Sequence, residues 1–386
     1  MMINTDATEE ILDLERQQQA KAYARLSRRL FILDLALGAL YVITWILAGW
    51  SPWLRHQVYG LSQTTWLSLP LFALGFGLPY LALTAPLNYY SGFVLPHKYQ
   101  QSTQSLKGWL LDQAKGLLIT ALLGLIILEI IYALMGFAPR TWWLWAGGVM
   151  LIFTVLLSNL APILIFPLFF KYEPLDDEDL VKRLTRLADQ AGARVKGVYV
   201  FDMSSKTVAA NAALMGLGNT RRIVLGDTLV ERFTAGEIET VLAHELGHHA
   251  HRDLPLGILV QSLITLVGFW LAHLVMQWGV SIFGYTGLAD PATLPLLILA
   301  LAVFGLVTMP LSNAWSRWRE VKADEYALKM SGNPKAFISA MTRLANQNLA
   351  DADPPAWVEF LLHSHPSISK RVARAEQFQA ENQALS

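Results

Sequence analysis

The sequence predicts a mainly α-helical polytopic membrane protein that carries a small α+β region on one side of the bilayer. Three observations lead there. Of 386 residues, 54% are hydrophobic and only 16% are charged, where a soluble domain carries about 25% charge. Six apolar runs are each long enough to cross a bilayer, which takes about 20 helical residues. Between the fourth and fifth runs lies a mixed, charged stretch that ends in the pattern His244-Glu245-Leu246-Gly247-His248.

The apolar runs cover 30–50, 65–87, 116–137, 142–170, 254–283 and 292–315. They divide the chain into a polar N-terminal segment (1–29), four spans (30–170), a water-facing region (171–253), two further spans (254–315) and a C-terminal region (316–386). The N-terminal segment is too polar for a cleaved signal peptide, and Ile11, Leu14, Tyr23 and Leu26 would suit a short interfacial helix. Loop charges alternate. Arg16, Lys21, Arg25, Arg28 and Arg29 precede the first span, and only Arg55 follows it. Lys98, Lys107 and Lys115 come next, then Arg140 alone, then a Lys/Arg-rich stretch, then a loop with neither, then a basic tail. By the positive-inside rule both termini and both water-facing regions are cytoplasmic, which needs an even number of spans. In a bacterium this would be the inner membrane. Net charge is zero and there is no cysteine, which gives no case for nucleic-acid binding and excludes disulfides, thiolate ligands and a cysteine nucleophile.

Within 171–253, Leu180, Leu184 and Leu187 recur at helical spacing over 176–191. The stretches 197–202, 207–215 and 222–225 read as strands, and Gly216-Leu217-Gly218 between two of them reads as a turn. Thr234 with Glu237 three residues later forms a capping box that starts a helix. On that helix His244 and His248, four residues apart, share a face and can direct two imidazoles at one metal ion, with Glu245 beside the open side as a base for water. A catalytic metal takes a third protein ligand. Glu320 and Asp324, again four apart just beyond the last run, offer a ligand and a hydrogen-bond partner for a ligand histidine. Glu325 competes from a neighbouring face. His249 is rotated about 100° from His248 and does not suit a ligand; neither His251 nor His363 is assigned one, and Asp253 reads as the helix stop before Pro255. Asp34, Glu129 and His273 lie in apolar runs, where they would pair inside the bundle or line a wet chamber.

The set resembles the membrane zinc metallopeptidases of the type 1 CAAX prenyl protease family. The matching pieces are Asn211-Ala212, Arg221-Arg222-Ile223-Val224-Leu225 with Asp227-Thr228-Leu229, His244-Glu245-Leu246-Gly247-His248, Glu320-Val321-Lys322-Ala323-Asp324, and Ser364-His365-Pro366 with Arg371. Pro96-His97-Lys98-Tyr99 through Trp109, Asp112 and Lys115, and Phe169-Phe170-Lys171-Tyr172-Glu173-Pro174-Leu175, add to it. The resemblance implies a zincin-like catalytic region facing a chamber among the membrane helices. It implies one Zn²⁺ held by His244, His248 and Glu320, with Glu245 as general base and Asp324 orienting a ligand. Asn211 would hold substrate backbone, and His365 and Arg371 would stabilise the tetrahedral intermediate. The partners implied are the bilayer and a peptide or protein substrate, prenylated or membrane-associated. The family's eukaryotic members have seven spans, against six here. Two alternatives stand beside it: a quality-control protease resembling the HtpX branch, and a non-catalytic scaffold with structural zinc.

Overall fold

A backbone that crosses lipid must satisfy its own N–H and C=O groups, so apolar runs of this length fold as helices. The structure, a computed structural model, describes residues 12–216 and 221–385. Among the described residues, six helical stretches are long and apolar enough to cross a membrane: Leu14–Leu47, Trp66–Lys98, Leu106–Phe137, Trp142–Leu168, Asp253–Ile282 and Pro291–Ser331. In the most apolar stretch of the fourth, no residue is buried within the protein. A wholly apolar surface of that kind is stable only against lipid.

In chain order the helices are α1 (Leu14–Leu47), α2 (Trp50–Leu61), α3 (Thr65–Tyr89), α4 (Leu95–Lys98), α5 (Leu106–Phe137), α6 (Trp142–Leu160), α7 (Glu178–Gln190), α8 (Asp227–Arg232), α9 (Ala235–Ala250), α10 (Asp253–Ile282), α11 (Leu294–Ser331), α12 (Pro334–Gln347), α13 (Ala356–Leu362) and α14 (Ile368–Leu385). The strands are β1 (Tyr172–Pro174), β2 (Val198–Phe201), β3 (Ala212–Met215) and β4 (Arg222–Gly226), in the order β1-β2-β4-β3. β2 and β4 run parallel with Val198 beside Ile223; the outer pairs are antiparallel.

Several elements differ from expectation. Among the described residues no separate interfacial helix precedes the first span: α1 starts at Leu14, capped by Asp13, and continues unbroken into the membrane. Helix α2 occupies what reads as a loop. Only 212–215 of the expected strand 207–215 pairs with β4, because Thr207 bonds instead to the segment after α4, its Oγ1 donating to Gln101 O at 2.8 Å. β1 is an additional strand. Ile11 and the Leu217-Gly218 turn lie outside the described residues.

The N-terminal turn of α1 is tied to the C-terminal region. Gln17 Nε2 donates to Ala350 O, and its Oε1 accepts from Ala352 N. Both regions therefore sit on one side of the helices, as an even number of crossings requires. At the far end, Arg55 on α2 forms an ion pair with Asp290, whose carboxylate also accepts from Thr286 N at 2.9 Å and Ala292 N at 2.9 Å. Among the ionisable groups of the apolar runs, His273 is buried and accepts from Trp142 Nε1 at 3.0 Å, a pairing inside the bundle. Glu129 lines a 260 Å³ cavity with Trp66, Tyr132 and Pro291.

Helix α9 is held at its start and at its end. Glu237 closes the capping box with Thr234, then accepts from Ser339 Oγ of α12 at 2.6 Å. Near the other end Gly247 lies against α11. A methyl group there would fall 2.9 Å from Ala323 Cα and 3.1 Å from Ala323 O, both backbone atoms that cannot swing aside.

Gly247→Ala is expected to force the two helices apart at a cost of about 1–3 kcal/mol, read as a lowered thermal midpoint in detergent. Arg55→Met should lower it further, by about 3–5 kcal/mol, because Asp290 keeps a buried charge without its cation; an unchanged midpoint would mean that the pair does not hold the far-side loop.

Candidate metal centre

The capping box, the buried Ile238, Leu242 and Leu246, and the contact at Gly247 fix the rotation of α9 about its axis. That rotation turns His244 and His248 toward α11. Glu320 and Asp324 face them from α11, and all but His248 are buried.

The hydrogen bonds fix the tautomers, because a carboxylate can only accept. Nδ1–H of His244 donates to Asp324 Oδ1 at 2.9 Å, and Nδ1–H of His248 donates to Asp253 Oδ2 at 2.7 Å. That leaves Nε2 of each ring as the atom that can ligate a metal once it carries no proton. The two Nε2 atoms face one another at 3.2 Å. Glu320 Oε2 is 3.2 Å from His244 Nε2, and Oε1 is 3.4 Å from His248 Nε2. Oε2 is buried with no hydrogen-bond partner.

Two imidazole lone pairs and a carboxylate aimed at one point repel unless a cation or proton lies among them. Burial works against a charge on His244, yet the carboxylates of Asp324 and Glu320 beside it win and push its pKa up to about 9. The spacing also suits a metal. Ligands bound tetrahedrally at about 2.0–2.1 Å lie about 3.3 Å from each other, close to the separations found. Among the described residues, His244, His248 and Glu320 form the group of histidine and acidic side chains that could hold a metal ion.

Glu245 is half-buried beside this group and makes no hydrogen bond among the described residues. Burial raises its pKa, with His244 and His248 opposing. His365 brings Nε2 to 3.2 Å from Glu320 Oε1 and bonds Ser364 Oγ through Nδ1. Burial lowers the pKa of its ring, favouring the neutral form. Asn211 stands at the start of β3, an edge strand packed on α9; its carbonyl accepts from Gly226 N, and its side-chain Oδ1 from Ala212 N.

Arg371 does not face the point where the ligand atoms meet. It is buried on the opposite side of His244, its Nε and Nη2 donating to the two oxygens of Asp324 at 2.9 and 2.6 Å. Asp253 also differs from its reading. It follows a two-residue turn and starts α10, where it receives His248 and forms an ion pair with Arg319, which also donates to His251 O at 2.9 Å. The sequence did hold a signal: a carboxylate five residues beyond the second histidine. Pro255 two residues on gives the same carboxylate the local pattern of a helix stop. His249 and Glu325 lie outside the cluster.

A family model described as peptidase family M48 matches residues 174–379, and one described as CAAX prenyl protease N-terminal, five membrane helices, matches 4–171. Within 4–171 the structure has four helices long enough to cross, and α2 is a shorter fifth. An uncharacterized metalloprotease, YhfN of Bacillus subtilis, is 30% identical over 361 residues, covering 92% of this chain and 84% of its own length. CAAX prenyl protease 1 of Saccharomyces cerevisiae is 31% identical over 307 residues, covering 74% of this chain and 67% of its own. The crystal structure of S. mikatae Ste24p superposes with a TM-score of 0.85 at 25% identity, covering 97% of this chain and 91% of that one. With its site geometry and six apolar helices, the chain belongs to the M48 metallopeptidases, as a multi-pass membrane enzyme with a CAAX prenyl protease type N-terminal region.

Proposed function

We propose that the chain is a zinc endopeptidase in which His244, His248 and Glu320 hold one Zn²⁺. The observation that carries this is the convergence of two Nε2 atoms and a buried carboxylate within about one tetrahedral edge of each other. An all-N/O donor set fits zinc, and three protein ligands leave a position for water. When bound, the metal acts as a Lewis acid toward water and the scissile carbonyl.

The chain's own groups do the rest. Glu245 takes the proton of the attacking water and passes it to the leaving amine. His365, at the rim, donates Nε2–H toward the charge that develops on the carbonyl oxygen. Asp324 and Asp253 fix the rings of His244 and His248, and Arg371 and Arg319 hold those two carboxylates in turn. The open edge of β3 can pair with an extended peptide by backbone hydrogen bonds. There the Nδ2 group of Asn211, which has no hydrogen bond among the described residues, can reach the substrate backbone.

The substrate class we infer is a peptide or protein at the membrane, with prenylated C-terminal peptides, as the names of the relatives suggest, first among those to assay. Loop charges support a cytoplasmic site, in the inner membrane if the source is bacterial. The scaffold alternative is opposed by Glu245, since a structural metal has no use for a base.

Glu245→Gln should lower peptide cleavage about 10²–10⁴-fold with zinc content unchanged, by elemental analysis of the purified protein. Full activity in that variant would remove the general-base assignment. Asp253→Asn should weaken zinc binding about 10–100-fold, measured by competition with a chromogenic chelator. Cleavage of matched peptides with and without a prenyl group decides the substrate class.

A further inference from the structure

The chain that leads into β3 has backbone partners that alternate between two sides. Ala209 O accepts from Thr228 Oγ1 at 2.7 Å and Asn211 O from Gly226 N at 2.9 Å, both on the side of β4 and α8. Val208 O accepts from Gln347 Nε2 at 2.7 Å, and Ala210 is met by Asn348, both at the end of α12. Successive residues of a strand in an antiparallel pair turn their N–H and C=O to opposite sides, so 208–211 behaves as an extension of β3. The register Ala212↔Leu225 carries the alternation onward. Ala213 turns its groups to β4, while Ala212 and Leu214 turn theirs to the open edge.

Asn348 stands on that same edge. Ala210 N–H donates to its Oδ1 at 2.8 Å, and its Nδ2 donates to Ala210 O at 3.1 Å. One side-chain amide thus makes both bonds that a neighbouring strand would make. Ala210 is buried and β4 ends at Gly226, so without Asn348 both groups would be left buried and unpaired, which is costly. Next to Ala210 comes the exposed Asn211, whose Oδ1 accepts from Ala212 N at 2.9 Å. On the open edge this leaves Ala212 O and both backbone groups of Leu214.

We propose that Asn348 is a positioning residue that closes the substrate edge of β3. It fills the place beside Ala210, so an extended peptide pairs with Ala212 and Leu214 and goes no further. It also fixes the backbone from which Asn211 projects. This rests on the peptidase reading, in which Asn211 and β3 hold the substrate backbone.

Asn348→Asp keeps the acceptor for Ala210 N–H and sets an oxygen against Ala210 O. In the zinc-loaded full chain it is expected to raise KM for an extended peptide about 10-fold with kcat little changed. Zinc content and inhibition by acetohydroxamate, which reaches the metal but not the strand, should stay as in the wild type. An unchanged KM would overturn the proposal, and so would a rise in KM accompanied by loss of acetohydroxamate inhibition, the sign of a disturbed metal centre. Residue-resolved hydrogen exchange on the wild type needs no variant to fold. A peptide-length hydroxamate should slow exchange at the Leu214 amide and leave the Ala210 amide slow both with and without it. Fast exchange at Ala210 in the free protein, or no slowing at Leu214, would overturn the proposal. Wild-type protein that binds zinc and cleaves no peptide would overturn the peptidase reading and this proposal together, whereas an unchanged KM in Asn348→Asp overturns this proposal alone.

Discussion

Everything in the site depends on how closely two helices approach each other. At Gly247 the backbone of α9 comes so near that of α11 that no side chain fits between them. This separation puts imidazole nitrogens and carboxylate oxygens at 3.2–3.4 Å across the gap. A wider gap would leave two histidines and two acids in water, each with its own hydration and none with a common focus. The capping box, the Glu237–Ser339 bond and the apolar face of α9 serve to keep this contact in register.

The charges assembled there would be costly in isolation. Asp324 is almost fully buried, and a buried carboxylate is tolerated only when it is paired and hydrogen-bonded. Its two oxygens are taken by Arg371 in a fork, and one also receives His244. Such an arrangement is worth more for orientation than for stability, because desolvation consumes most of the Coulombic gain. The same pattern recurs on the other histidine with Asp253 and Arg319. Each imidazole thus has an acid behind it and a guanidinium behind the acid, which leaves neither ring free to turn.

Much of this was legible from the chain because physical constraints fix lengths and periods. A bilayer sets the length of an apolar run, so six crossings could be read directly, and a spacing of four sets which residues share a helix face. What stayed illegible has equally physical causes. α2 is too short to show a membrane signal, and β1 is three residues with a proline, a pattern no period reveals. The run of Thr207–Ala210 has strand composition, yet its hydrogen bonds go to Gln101 after α4 and to Thr228, Gln347 and Asn348. For Arg371 the sequence supplies a residue type but no direction; the fork on Asp324 is a tertiary fact. At Asp253 a carboxylate near a proline carries the same local signal whether it ends one helix or starts the next.

The turn that makes Asp253 useful also carries strain. Arg252 sits at φ 55°, ψ 40°, a left-handed conformation that costs a non-glycine residue about 1–2 kcal/mol. A glycine or asparagine would adopt it more cheaply. The strained residue joins two rigid helices in a two-residue turn, so the chain reverses into the membrane while Asp253 returns to His248. Strain of this kind persists where surrounding contacts over-determine the backbone, and here they do: the N–H of Arg252 donates to His249 O, its carbonyl accepts from Leu256 N, and Arg319 bonds both His251 O and Asp253. The start of a membrane helix is therefore part of the metal centre, and a shift of that helix would be felt first at His248.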